Sequence, residues 1–448
     1  MLLATALPAL TFCALCTLFA WRRSAWYSPA ALWSGFALGN LAVLWAVILW
    51  NVHLPEIRVS PMPSIRLEGH FLASALLCCA LAAMGPLATA GLSPARRGEA
   101  AAALSARLRG FADGAWAGGY AVFAAGLCAA HLALIDREAL WLSADYLALA
   151  DTSRNGMGGG LGAFLNNALR PLAMPAFLLA ALRPRGARRV LLAAVCLYAL
   201  AFSLAVFSRF LMVYLFVYLL GRILAEPGPR RSVPGALARL AGRGVLGASI
   251  LLAFLIAMAG RGEALQGLGV VGQAAGRLDW ELVSRLVPTF LTTTFDGGLS
   301  FANALRLGPV YDPEYQILSF SPFPSFLDGF SESQAKLAPR INAFVPVSAY
   351  GELAHFHWGW AALFGLIAAA AVRQMTLGFF RHRDAATAAL YPVFLLCLMK
   401  FQTYSLRTSL RLFAAIALVS LIACLLKRAR AGRGAAGGGA GEAVPAPA

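Results

Sequence analysis

The sequence predicts an all-α polytopic integral membrane protein with about eleven transmembrane helices and one large loop on the outer face. Three observations predict it. Hydrophobic residues make up 60% of the 448-residue chain and charged residues only 13%, against about 25% charged in soluble domains. Apolar runs recur at 2–21, 29–50, 71–92, 114–135, 161–182, 190–207, 210–225, 245–260, 356–375, 386–404 and 410–426. Most approach the roughly 20 residues that cross a hydrocarbon core. The basic residues also collect in alternate connections.

The net charge of +17 invites a nucleic-acid reading, but its distribution records topology. With the first turn placed inside, the inner segments carry Arg22 and Arg23; Arg96, Arg97, Arg107 and Arg109; Arg183, Arg185, Arg188 and Arg189; Arg222, Arg230, Arg231, Arg239 and Arg243; Arg373, Arg381 and Arg383; and Lys427 to Arg433. These are 22 of the 37 basic residues, alongside five of the 20 acids. That is the positive-inside bias, and it puts the N-terminus outside and the C-terminus inside. The first apolar run has no small-residue cleavage site before its arginine pair, so it reads as a retained helix.

Along the chain, residues 1–431 read as the transmembrane helical domain, with 261–355 as one 95-residue loop within it. That length far exceeds an ordinary connection. In it, Leu278, Leu282, Leu286 and Phe290 make an apolar stripe at helical spacing over 277–295. Residues 136–160 form a second outer loop, whose Trp141 and Tyr146 fit a short interfacial helix. The tail 432–448 is Gly/Ala/Pro-rich and reads as disordered. All eight cysteines fall in apolar runs, and Cys13-x-x-Cys16 reads as packing rather than redox chemistry. No internal repeat is visible, which disfavours a repeat-built transporter.

Polar residues crowd the outer edge. Arg209 sits in an almost loopless turn, "FSRF", where a lone arginine opposes the positive-inside bias; snorkelling is its bland explanation. Arg170 lies inside an apolar run with two asparagines and two prolines, "NNALRPLAMP". Such a span is broken or lines a cavity, since its freed backbone and guanidinium need partners. Lys400, Arg407 and Arg411 surround an outer turn, although Arg411 alone fits interface anchoring. Arginine's planar fork suits phosphate oxygens. Glu352 and His355 stand at i, i+3 where the long loop re-enters the membrane in "PVSAYGELAHFHWGW", sharing a face with Gly359 at i+7. They read either as a helix-entry ion pair beside an aromatic belt or as a general base with a tuning neighbour. His355-x-His357 diverges on a helix and lacks a third ligand, so no metal site is expected. The acids Asp279, Glu281, Asp296, Asp312, Glu314 and Asp328 read mostly as solvated faces.

Over residues 150–425 the chain resembles the bacterial O-antigen polymerases, the oligosaccharide repeat-unit polymerases of the Wzy type. The resemblance rests on the Ser208-Arg209 turn, the large loop after it, and Pro346, Ser348, Gly351, Glu352 and Gly359 at the helix entry. Trp358-Gly359 stands where that family often has Phe-Gly, and Ala362 where a second glycine is common. Arg261…Gly272 and Arg340…Gly351 match an Arg-x10-Gly spacing found in some members, although here both fall in one loop.

The resemblance implies a membrane-glycosyltransferase-like fold in the bacterial inner membrane and no metal, cofactor or nucleotide sugar. It implies transfer of a glycan from undecaprenyl diphosphate to the non-reducing end of an incoming lipid-linked repeat unit at the periplasmic face. Arg209, with Arg285, Arg407 or Arg411, would hold the diphosphate, and Glu352 or His355 would orient or deprotonate the acceptor hydroxyl. Arg170, Arg261, Arg340 and Lys400 would complete the substrate-binding set. A chain-length regulator and a flippase are the implied protein partners. The runner-up readings are an O-antigen ligase, which passes the same donor to lipid A core, and then a transporter or flippase.

Overall fold

The structure is a computed structural model. It describes residues 2–25, 28–49, 70–92, 97–135, 140, 144–145, 161–208, 210–225, 233–261, 265–307, 313–323, 340–342, 345–346, 348–381, 401–402, 405–411 and 414. Among the described residues, helices occupy the apolar runs, and one further helix lies between two of them. The first are α1 (Leu2–Arg23), α2 (Pro29–Leu49), α3 (Phe71–Ala88), α4 (Arg97–Ala112) and α5 (Ala115–Leu134). After them come α6 (Leu161–Ala181), α7 (Ala187–Ala205), α8 (Phe210–Ala225) and α9 (Val233–Arg261). Six helices are long and apolar enough to cross a membrane, over Thr5–Arg23, Pro29–Val47, Phe71–Ala88, Ala115–Leu134, Ala187–Ala205 and Trp358–Gly378. Leu7, Leu76, Val122, Leu197 and Leu366 are exposed on those helices, as a bilayer-facing surface requires. The protein is an α-helical membrane protein.

The 261–355 segment is itself mostly helical where described: α10 (Leu268–Gly276), α11 (Trp280–Thr294), α12 (Gly297–Leu307), α13 (Pro313–Ser319) and α14 (Ala349–Phe356), followed by α15 (Trp358–Arg381). Asp279 caps α11, its Oδ1 accepting from Leu282 N at 2.7 Å. The stripe of Leu278, Leu282, Leu286 and Phe290 packs on Phe254, Leu255 and Met258 of α9. Two short ladders complete the architecture: β1 (Ala144–Asp145) with β2 (Leu265–Gln266), and β3 (Arg340–Asn342) with β4 (Val345–Pro346). In the 136–160 loop the described stretch 144–145 is therefore a strand paired with the start of the long segment. Trp141 and Tyr146 of the expected interfacial helix, the spans 386–404 and 410–426 for the most part, and the tail 432–448 lie outside the described residues. The connection between the apolar runs 71–92 and 114–135 holds helix α4.

Two buried clusters organise the packing. The first joins α1, α2, α3, α12, α14 and α15, and the second joins α4 to α8, with Met375 of α15 against both. Within the first, Trp33 Nε1 donates to Leu81 O at 2.9 Å and Ser34 Oγ to Ala82 O at 2.7 Å. Cys13 and Cys79 meet with their sulfurs 3.8 Å apart as free thiols, so the Cys-x-x-Cys sits on a helix–helix contact.

The turn between α7 and α8 is tight. Phe207 adopts φ 45°, a left-handed conformation unfavourable for a bulky residue. It is held because its fully buried ring lies on Gly260 of α9, in a cluster with Ala257, Val270 and Ala274. A Cβ at Gly260 would overlap that ring. The enclosed Phe207 has nowhere to turn, so Gly260→Ala is expected to cost about 1–3 kcal/mol. Thermal unfolding in detergent should show a lowered midpoint; an unchanged midpoint would mean that this contact does not fix the turn.

Candidate functional site

The site forms where residues 313–323, 348–357 and 405–411 meet. Helix α14 begins at Ser348, whose Oγ accepts from Gly351 N at 3.2 Å while its own N–H donates to Ser300 Oγ of α12 at 2.6 Å. Both bonds fix the entry angle of the helix. Helix α12 is seated in turn by Asn40 of α2, whose Oδ1 accepts from Gly297 N at 3.0 Å and whose amide donates to Gln402 at 2.7 Å. Only glycine fits at 297, because a Cβ there would run into the Gln402 carbonyl.

Helix α14 is short. It stops at His357, which is extended at φ −178° and accepts through Nδ1 from Gly359 N at 3.0 Å as α15 starts. The sequence pattern places Glu352, His355 and Gly359 on one continuous helix face. The break at His357 corrects this, since Gly359 belongs to a separate helix whose entry needs its own cap. The i, i+3 pairing of Glu352 and His355 on α14 is unaffected.

Glu352 lies outside the spanning segment of α15 and is 1% exposed. Its Oε1 accepts from the Tyr315 hydroxyl at 2.7 Å and its Oε2 from Leu406 N at 2.6 Å. Burial pushes its carboxyl up to about 7, against the opposing pull of those two hydrogen bonds. His355 is half-buried. Burial holds its imidazole below the ordinary value, while a hydrogen bond at the Ala304 backbone favours the charged form.

Two arginines flank this pair. Arg407 is buried and donates to Leu318 O and, at 3.1 Å, to Phe323 O. Arg411 donates to the same Phe323 oxygen through Nε at 3.0 Å and Nη2 at 2.7 Å. The carbonyls at the end of the 313–323 segment are thus drawn to two fixed cations, which carry charge-assisted bonds.

Of the residues expected from sequence, the structure brings together Glu352, His355, Arg407 and Arg411. Arg170 stands apart in α6, within the second cluster. Arg209 and Lys400 lie outside the described residues, as do the side chains of Arg261, Arg285 and Arg340, whose backbones belong to α9, α11 and β3. Sequence reasoning missed Tyr315, the Leu406 amide and the Asn40–Gln402 pair. A lone tyrosine in a Pro/acid segment carries no motif, and an amide partner has no sequence signal at all. Among the described residues, no group of three or more His, Cys, Asp or Glu side chains is placed to hold a metal ion.

The Glu352 environment makes a pH prediction. In the unfolded chain its carboxyl titrates near 4.5 and in the fold near 7. The fold therefore favours the protonated form. That contribution is complete below pH 4.5 and is lost as pH rises through 7, amounting to about 3 kcal/mol. Glu352→Gln keeps an oxygen for the Leu406 amide and can donate to the Tyr315 oxygen. Its thermal midpoint should therefore lack this decline between pH 4.5 and 7. An identical decline in the variant would assign the titration to another group.

No family model, curated protein or solved structure matches the chain.

Proposed function

We propose that this protein is a membrane glycosyltransferase that polymerises lipid-linked oligosaccharide repeat units, as its resemblance to the Wzy-type polymerases implies. Transfer runs from undecaprenyl diphosphate to the non-reducing end of the incoming unit, at the periplasmic face of a bacterial inner membrane. The eleven-span topology with an outside N-terminus belongs to the same reading, as do a chain-length regulator and a flippase as partners. The observation that carries it is the corner around α14, where a half-buried histidine, a sealed carboxylate and two arginines meet just outside a helix fit to span the membrane.

The geometry divides the roles. Glu352 is enclosed and both its oxygens are engaged, so it ties α13, α14 and the 405–411 segment into one frame. His355 is the more accessible group. Burial favours its neutral form, so near neutral pH it can accept a proton from an acceptor hydroxyl. In a single displacement, that hydroxyl oxygen forms the new glycosidic bond as the bond between the anomeric carbon and the diphosphate oxygen breaks. The hydroxyl proton passes to His355 and the leaving electron pair to the diphosphate. Arg407 and Arg411 bind the backbone of the 318–323 segment, and they shape the wall beside this reaction.

Purified protein given a lipid-diphosphate repeat unit should form polymer, and EDTA should leave the yield unchanged. His355→Gln should lower the rate by about 100-fold or more, with the acid limb of the wild-type rate profile falling below pH 6.5, the ordinary histidine value. Wild-type rates in His355→Gln would remove the histidine from the chemistry, and loss of polymer in EDTA would overturn the metal-independent mechanism. In cells, deletion should leave lipid A core capped by a single unit. Bare core with accumulated lipid-linked polymer would instead identify a ligase.

A further inference from the structure

The 313–323 segment has an apolar side that the corner around α14 does not use. Tyr315 and Ser319 are buried, whereas Ile317 is 73% exposed and Phe323 61%. Between them Phe320 is partly covered, its ring packing on Phe356 and Trp360 with centroids 5.9 and 5.3 Å apart. Residues 315–323, "YQILSFSPF", carry no charge. Single exposed apolar residues are ordinary, but a cluster of them on an uncharged segment needs something to cover it.

The helix beneath the cluster identifies the cover. Trp360, Leu363 and Ile367 are exposed at i, i+3 and i+7, so they form one stripe along α15. Helix α15 is fit to span the membrane from Trp358 onward, and its exposed stripe faces lipid. Trp360 stands two residues inside that span, about 3 Å along the helix from its start. Phe320, packed on Trp360, therefore lies at the depth of the first turn of the span, and Ile317 lies one turn before Phe320. Trp358 is exposed at the same boundary, where the apolar ring and polar N–H of tryptophan are both accommodated.

The backbone suits a place with little water. Phe320 N donates to Ile317 O and Ser321 N to Leu318 O, both at 3.2 Å, and Phe323 N to Ser321 Oγ at 3.3 Å. Pro322 has no N–H to satisfy. Arg407 donates to Leu318 O, and both Arg407 and Arg411 donate to Phe323 O. A turn in open water could leave these bonds to solvent. At the edge of the hydrocarbon region the protein must supply them, because unmet backbone groups there are costly.

We propose that the 313–323 segment is a lipid-inserted element that does not cross the membrane. It seats Ile317, Phe320 and Phe323 at the acyl–headgroup boundary, continuous with the lipid-facing stripe of α15. Glu314, exposed in the first turn of α13, marks the end left in water. The corner around α14 then lies against lipid at the Trp358 end of α15 rather than in open solvent. This placement rests on the fold alone and holds whether or not the polymerase reading does.

Nitroxide labels on Ile317→Cys, Phe323→Cys and Glu314→Cys, one at a time, test it in the full-length protein in nanodiscs of phosphatidylethanolamine and phosphatidylglycerol. All three positions are exposed, so the substitutions leave the core intact. The unsubstituted protein, treated with the same reagent, gives the background from native thiols. Collision with oxygen, which concentrates in lipid, is compared with collision with a water-soluble nickel chelate. Labels at 317 and 323 should favour oxygen and lie about 5–10 Å into the headgroup–acyl boundary, the depth of an interfacial helix. The label at 314 should favour the chelate. Ile317→Gln combined with Phe323→Gln should also lower the thermal midpoint in nanodiscs, whereas two water-facing positions would accept the change. Chelate access at 317 and 323 equal to that at 314, or an unchanged midpoint in the double variant, overturns the insertion. Labels at 317 and 323 shielded from both reagents overturn it as well, because protein then covers the face; magnetic coupling between labels on separate molecules would identify that cover as a second copy.

Discussion

The corner around α14 depends on one buried carboxylate. Glu352 accepts from a side chain on α13 and from a backbone amide at Leu406, so a single group joins three segments that are far apart in sequence. Enclosing a carboxyl is costly unless each oxygen has a donor, and here each has one. The cost that remains is seen in its raised proton affinity. Removing the whole group would leave the Leu406 amide and the Tyr315 hydroxyl without their acceptor, in a region with little water to replace it. The frame therefore fixes α14, which carries His355, against the segment that carries Arg407 and Arg411.

The same economy of partners explains why the 261–355 segment folds as helices rather than as a loose loop. Asp279 caps α11, Ser348 caps α14, and Asn40 reaches from α2 to the first turn of α12. Each cap satisfies backbone donors that the helix start would leave exposed. The apolar stripe of α11 then turns onto α9, which anchors that part of the segment to a helix of the bundle. Burial and capping together let a 95-residue connection adopt defined positions beside the apolar helices.

How much of this was legible in the sequence follows from the range of each interaction. The apolar helices were legible because an apolar run is a local property, and the stripe on α11 was legible because its period is local too. Glu352 and His355 stood out because polar residues at an apolar entry are conspicuous. The break at His357 was not, since it depends on an imidazole turning back to cap Gly359, a choice of side-chain direction that spacing does not encode. Tyr315, Leu406 and Gln402 were invisible because each partner lies across the fold: Tyr315 is 37 residues from Glu352, and Asn40 is 362 residues from Gln402.

The two clusters hold their cations differently. Around α14, Arg407 and Arg411 donate to the carbonyls of Leu318 and Phe323, and these bonds hold the 318–323 segment in place. Around α6, the Arg170 guanidinium stands over the Phe210 ring instead. Met375 packs against both clusters, so the same helix that leads out of the α14 corner also forms part of the seam between them.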